Sequence, residues 1–174
     1  MFLQAGIDPR AMLVVALTNS SDRVVALQEG HLDGALLIPP FDTLALRNGA
    51  KLLDVYDGDW LQTPLIVNKD WAARNPEAAR RVTQALAEAA AWIYEPANKE
   101  AAIDILARYT NVPHDIVAEG YAFMVEESQA ISPDLSVPAE SLESILRIRQ
   151  ALYGTPMSDF DLNKYYDPSF LQGN

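Results

Sequence analysis

Short apolar runs alternate with segments of helical spacing over the first seventy residues. Each run is continuous, which is typical of a strand buried on both faces. The predicted strands are Met12–Leu17, Gly34–Ile38, Leu52–Tyr56 and Pro64–Asn68. Between them the spacing predicts two short helices, one stopped by Gly30 and one that has Pro40 in its first turn and ends at Asn48-Gly49. Strands that alternate with short helices predict an α/β fold with a mostly parallel sheet.

From Trp71 onward the apolar positions follow helical spacing alone. The run Asn75-Pro76-Glu77 combines a cap residue, a proline suited to the first turn and an acid that favours the helix dipole, so it predicts the start of a long helix. Further helices are predicted at about Lys99–Tyr109, from Pro113 to about Glu127, and from Pro138 to Gly154. The sequence therefore predicts an α/β lobe at 1–70 and, at 71–174, a helical region whose C-terminal tail packs on the same body.

The loops at the ends of the predicted strands are the first place to look for a ligand site. Ligands of parallel sheets bind beyond the carboxyl ends of the strands, and here those ends are the loops after the first and second strands. The candidate ligand-binding residues are Thr18, Asn19, Ser20, Pro39, Pro40 and Phe41. The first three either contact a ligand or cap the following helix. Phe41 either forms a cleft wall or belongs to the core.

Charge and composition narrow the classes of partner. The 174 residues include 24 acidic and 13 basic side chains, for a formal net charge of −11. A field of that sign repels nucleic acid and anionic lipid, although backbone N–H groups can still bind an anionic ligand locally. The chain has no cysteine, which excludes disulfides, thiolate nucleophiles and zinc–thiolate sites. Arg10 before the apolar run 11–17 only faintly mimics a signal peptide, so no export signal is predicted.

Catalytic and metal-binding patterns are not evident. The two histidines, His31 and His114, are far apart in sequence, and neither has a second ligand at metal spacing. The paired carboxylates Asp57/Asp59 and Asp159/Asp161 lie in polar stretches where turn-forming aspartate is the usual explanation. The sequence therefore predicts no catalytic residue, no metal site and no cofactor.

A series of short phrases resembles one family of solute-binding proteins. In its members a helix ends in a phrase like A-L-x-x-G-x-x-D-A, followed by a proline pair, a helix ending in glycine, and K-L-L-D. The matching stretch is Arg23–Val55, which reads RVVALQEGHLDGALLIPPFDTLALRNGAKLLDV, with Ala26, Leu27, Gly30, Asp33 and Gly34-Ala35 at the key positions. Trp71 before Asn75-Pro76-Glu77, and the closing phrase Tyr166–Phe170, continue the series. The chain thus resembles the NMT1-like (NitT/TauT, nitrate/sulfonate/taurine type) substrate-binding proteins of ABC transporters.

The resemblance implies a fold, a ligand class and partners. The fold is a periplasmic-binding-protein type II-like lobe. Because family members have two lobes and roughly twice this length, the chain is expected to be truncated, with the first lobe largely missing. The function is to bind a small organic or anionic solute (a sulfonate, taurine, nitrate, an aromatic acid or a pyrimidine) for an ABC transporter permease. The compartment is the periplasm, or the cytoplasm if the chain is complete as given. A homodimer through the face left open by the missing lobe is a further expectation.

Three other functions stay open beside it. Fungal relatives are thiamine-pyrimidine synthases, with a cysteine-rich stretch and a reactive histidine, and the lack of cysteine here argues against that enzyme. LysR-type regulators use a related two-lobe fold as an effector-binding module, behind a DNA-binding helix-turn-helix that this sequence does not contain. The third alternative is a folded fragment that binds no ligand.

Overall fold

The computed structural model describes Gly6, Asp8, residues 11–55 and 64–154, Asp161 and residues 165–171. The described residues form α1 (Ser20–Gln28), α2 (Phe41–Arg47), α3 (Lys69–Arg74), α4 (Pro76–Tyr94), α5 (Lys99–Thr110), α6 (His114–Tyr121) and α7 (Ala139–Tyr153). Short 3-10 helices lie at Pro96–Asn98 and Pro168–Phe170, and a π-helix at Ala122–Glu127 continues α6. None of the described helices is both long and apolar enough to cross a bilayer.

The predicted α/β fold is wrong, because the described residues contain no strand and the chain is all-helical there. The four segments expected as strands, which are 12–17, 34–38, 52–56 and 64–68, have no ladder hydrogen bonds to one another within the described residues. Their apolar side chains are largely solvent-exposed, with 93% exposure at Leu13, 88% at Leu53 and 83% at Ile66. An apolar run predicts a local preference, whereas a strand exists only when a neighbour accepts and donates its backbone hydrogen bonds. Tyr56, the expected end of the third strand, lies outside the described residues.

The helices predicted from start and stop signals are confirmed, although the Asn75 side chain makes no cap hydrogen bond. The helix expected after Asn75 begins at Pro76, and glycines with positive φ follow α1 and α2, with 74° at Gly30 and 94° at Gly49. A glycine tolerates this left-handed backbone without the steric cost of a Cβ, so it ends a helix cleanly. The helix α3 was not predicted, and its start is capped by Asn68, whose side chain accepts a hydrogen bond from Trp71 N at 3.0 Å.

The chain divides into two compact units, of which the first comprises Met1–Asp57 and Glu100–Ser128. In this first unit α2 packs against both α1 and α6. Its core side chains come from α1, α2, α5, α6 and the π-helix, and the largest that are almost fully buried are Ile103, Val117 and Pro40. The predicted boundary between 1–70 and 71–174 remains a prediction.

The second unit comprises Gly58–Lys99 and Gln129–Asn174. Here α4 packs against α3 and against the 3-10 helix at 168–170. The Tyr94 hydroxyl donates a hydrogen bond to the Ile131 carbonyl. In the same segment, hydrogen bonds from the Ser132 hydroxyl (2.6 Å) and from Ser136 lower the pKa of Asp134 to about 2. These bonds order the connection that leads into α7.

Candidate functional site

The first candidate loop lies at the start of α1. Thr18 and Asn19 are exposed and Ser20 is partly buried. Asn19 occupies the N-cap position with extended backbone (φ −105°), yet its side chain caps no backbone N–H and instead donates to the Asp22 carboxylate at 3.4 Å. The backbone N–H groups of Ser20, Ser21 and Asp22 therefore have no acceptor within the described residues. This leaves an open first turn with donors directed at the space before α1.

The second candidate loop lies at the start of α2. The Pro39–Pro40 peptide bond is cis, and Pro40 is buried while Pro39 and Phe41 are partly buried. The Phe41 N–H donates to the Ile38 carbonyl at 2.9 Å, which closes the turn into the helix. Gly120 of α6 packs directly beneath, since a Cβ added there would lie 3.3 Å from Pro39 Cβ and from Pro40 Cα. The loop thus rests on the backbone of a neighbouring helix.

Arg23 connects the segments that lead into these two loops. Its Nε donates to the Leu17 carbonyl at 2.9 Å, and its Nη1 donates to the Leu36 carbonyl at 3.1 Å. Leu17 directly precedes Thr18, and Leu36 is three residues before Pro39. All six candidate residues therefore lie in one unit, at the first turns of two helices that pack together.

Exposed ion pairs join the end of α2 to α6. Arg47, at the end of α2, pairs with Asp115 at 3.3 Å and also with Glu119. The hydrogen bond to the Glu119 carboxylate raises the pKa of the Arg47 guanidinium above its ordinary value. Ion pairs this exposed to water contribute little to stability.

Neither histidine belongs to a metal site in the part of the chain that the structure describes. His114 Nε2 lies 3.2 Å from Asp104 Oδ1 and 3.9 Å from Glu100 Oε2, while His31 Nδ1 lies 3.3 Å from Glu29 Oε2. All of these side chains are at least half exposed, and no described group of three or more such residues is placed to hold a metal ion. Of the paired aspartates predicted as turns, Asp57, Asp59 and Asp159 lie outside the described residues.

A widely open depression lies at the start of α4, in the second unit, and contains none of the candidate residues. Its lining includes Arg74, Asn75, Glu77 and Arg81. Arginines near a helix start are compatible with anion binding. However, these side chains are exposed, and Glu77 is paired with Arg80 at 2.6 Å. The lining therefore does not indicate a specific ligand site.

Two features of the site were missed by the sequence analysis. Arg23 was named only as the first residue of the family-like stretch Arg23–Val55, although a positive charge in the first turn of a helix opposes the helix dipole and thereby indicates an unusual partner. Arg47 pairs with Asp115 and Glu119, which are 68 and 72 positions away in sequence. No local sequence pattern predicts these ion pairs.

Comparison with known proteins supplies the family. The sequence matches the model of the NMT1-like family over residues 1–107, which is more than half of the chain. No curated protein and no solved structure gives a significant match. The chain therefore belongs to the NMT1-like family, as the resemblance in the sequence indicated, and is a solute-binding protein of the periplasmic binding protein kind. Members of this family are generally binding proteins, although some relatives are synthases.

Proposed function

We propose that this member of the NMT1-like family captures a small organic or anionic solute at the first turns of α1 and α2 and delivers it to the permease of an ABC transporter. The observation that carries the proposal is the open first turn of α1, where the N–H groups of Ser20, Ser21 and Asp22 have no acceptor within the described residues. Backbone donors at a helix start bind carboxylate, sulfonate or nitrate oxygens even in a protein of negative net charge. No bond is made or broken in this function.

Pro39, Pro40 and Phe41 supply the apolar side of the proposed site. Sites for small organic ligands combine apolar walls with a few convergent polar groups. The partly exposed ring of Phe41 beside two prolines suits an organic ligand better than a bare inorganic anion. The proposed class is accordingly an aromatic or sulfonated organic solute, which includes taurine. Nitrate and pyrimidines are the other solutes to be tested. The compartment that we propose for this function is the periplasm, because solute is delivered to a permease from that side of the membrane.

Thermal unfolding in the presence of small ligands tests the proposal. We expect one chemical class among taurine, alkane sulfonates, aromatic carboxylates, nitrate, bicarbonate and pyrimidines to raise the unfolding midpoint. A ligand that binds only the folded state stabilises it by about 2.7 kcal/mol at a hundredfold excess over its dissociation constant. A cooperative transition that no class shifts would instead indicate a folded chain that binds no solute.

A matched pair of substitutions tests whether the ligand-induced stabilisation arises at the proposed site. Phe41→Ala removes the apolar wall, so most of the ligand-induced stabilisation should disappear. Phe123→Ala removes a ring that is 44% exposed in the same unit, away from both loops in sequence, and should leave the ligand-induced stabilisation intact. A full ligand response in Phe41→Ala would place the binding site elsewhere.

We further propose that the first unit associates with a second copy of itself through the exposed apolar segments. Three segments of this unit, which are 12–17, 34–38 and 51–55, expose large apolar side chains that include Leu13 at 93%, Val14 at 78% and Leu53 at 88%. Monomeric proteins seldom leave such surface uncovered, and covering one such side chain contributes about 1.5–3 kcal/mol. The proposed occupant is an identical segment, because a two-fold axis lets one patch cover itself.

Sedimentation across a concentration series measures this association. We expect a dimer at micromolar concentration that dissociates in the double substitution Leu13→Glu/Leu53→Glu. The control Tyr109→Glu changes a side chain that is 79% exposed on α5 of the same unit and should leave the dimer intact. A wild-type chain that sediments as a monomer at every concentration would rule out self-association.

A further inference from the structure

We propose that Arg23 is a positioning residue of the solute site, which holds the two candidate loops at a fixed separation; this inference rests on the proposed function. One guanidinium bonds the carbonyls of Leu17 and Leu36, at 2.9 Å and 3.1 Å, across 6 and 13 residues of sequence. The first carbonyl belongs to the residue before Thr18, and the second lies three residues before Pro39. Movement of either loop relative to the other would break one of the two bonds.

The link depends on the geometry of the guanidinium and not only on its charge. The group is planar and presents its N–H donors in fixed directions, so two acceptors bound to different nitrogens have a defined separation. A lysine ammonium at the same position is a compact point charge on a flexible stem. It can satisfy one of the two carbonyls but does not define the distance between them.

The surroundings of Arg23 argue against an ordinary solvated surface charge. Arg23 is the fourth residue of α1, where the helix dipole disfavours a positive charge. The side chain is partly buried and forms no ion pair among the described residues, in a chain with 24 acidic side chains. Its partners are the two main-chain carbonyls, whose partial negative charges compensate for the cost of that position.

Among the described residues, no other hydrogen bond or ion pair links the segments that lead into the two loops. Within the described residues, no backbone hydrogen bond joins segment 12–17 to segment 34–38. The packing of α1 on α2 brings the helices together but does not specify how their leading loops are spaced. A site whose two walls come from separate loops requires them to be held close to the binding geometry before the ligand arrives. Arg23 is placed to provide that preorganisation.

The dissociation constant of Arg23 variants tests the inference with the ligand class that stabilises the wild-type chain. Arg23→Lys should weaken binding about tenfold, since the charge is kept and one of two hydrogen bonds is lost, and Arg23→Met should weaken it further. The control Arg108→Lys alters a guanidinium that lies 5.3 Å from the Tyr109 ring in the same unit and should leave the affinity unchanged. A lower melting midpoint with unchanged affinity in both Arg23 variants would show a purely structural role and overturn the inference.

A measurement without ligand separates this inference from the proposed function. The chain has no cysteine, so a thiol-reactive spin label attaches only to the cysteines introduced by Ala16→Cys and Ile38→Cys. The measured distance is then the one between positions 16 and 38. We expect a single narrow distance distribution with Arg23 and a broad one with Arg23→Met. Equal distributions would overturn the positioning role even if ligand binds. If no ligand class stabilises the wild-type chain, the proposed function fails, and the label distances still decide whether Arg23 holds the loops.

Discussion

Replacement of Ile103 by alanine is expected to lower the free energy of unfolding by about 2–5 kcal/mol, which is the range for removing a large aliphatic side chain from a packed core. Ile103 lies on α5 with 1% of its surface exposed, and among the described residues it is one of the largest side chains that are almost fully buried. The loss combines the transfer free energy of the deleted methyl and methylene groups with the cost of the cavity that remains. Denaturant unfolding followed by circular dichroism measures it directly.

The same helix offers a matched control. Ile105 is 43% exposed, two residues along α5, so Ile105→Ala should cost less than about 1 kcal/mol. Equal losses at the two positions would mean that Ile103 is not part of a packed core. Because none of the six candidate ligand residues lies on α5, Ile103→Ala should leave the ligand-induced increment of stability unchanged. A general loss of stability is thereby distinguished from damage to the site.

The helices could be predicted because their signals are local. The run Asn75-Pro76-Glu77 predicts the start of α4, and the glycines at 30 and 49 predict the ends of α1 and α2. Pro76 acts through its fixed φ, and the two glycines act through their tolerance of a positive φ. The Asn75 side chain, by contrast, makes no cap hydrogen bond and donates to the Trp71 carbonyl at 2.9 Å. The structure therefore agrees with the sequence at these positions.

The strands could not be predicted reliably, because pairing is a property of two segments. Met12–Leu17 has the composition of a buried strand, yet Leu13, its second residue, is 93% exposed. The residue types set a preference for non-helical backbone, whereas burial depends on what lies opposite. The candidate ligand residues were chosen as the ends of parallel strands, and that reason is wrong. Their role remains a prediction, and it now rests on the first turns of α1 and α2.

The contacts that organise the site arise from tertiary packing. Arg23 reaches the Leu36 carbonyl across 13 residues, and Arg47 reaches Glu119 across 72. Neither acceptor can be read from spacing, because both depend on how the helices of the first unit pack. The sequence does show that Arg23 has a positive charge in the first turn of α1, where the helix dipole disfavours it. Such a misplaced charge is a signal to look for a partner, even where the partner itself is unknown.

Substitution of Gly120 by valine is expected to lower the free energy of unfolding by about 3 kcal/mol and to weaken the ligand response of the site. A Cβ at this position would lie 3.3 Å from Pro39 Cβ and from Pro40 Cα, which is a proline ring on one side and main chain on the other. Neither neighbour can rotate away, so the two γ-methyl groups of valine must push the Pro39–Phe41 loop off α6. Thermal unfolding with and without ligand measures both effects in one experiment.

Graded and remote controls separate displacement of the loop from a change in helix propensity. Gly120→Ala adds only the Cβ, and its gain in helix propensity of about 1 kcal/mol offsets the tight contact, so stability should stay within about 1 kcal/mol of the wild-type value. Ala101→Val introduces the same β-branched residue at an exposed position on α5 and should cost about 0.5 kcal/mol. If Gly120→Val were as stable as Gly120→Ala and responded fully to ligand, the loop at Pro39–Phe41 would not depend on its close contact with α6. Loss of the ligand response in Gly120→Val, with the response intact in Ile103→Ala, would instead tie solute binding to the position of this one loop.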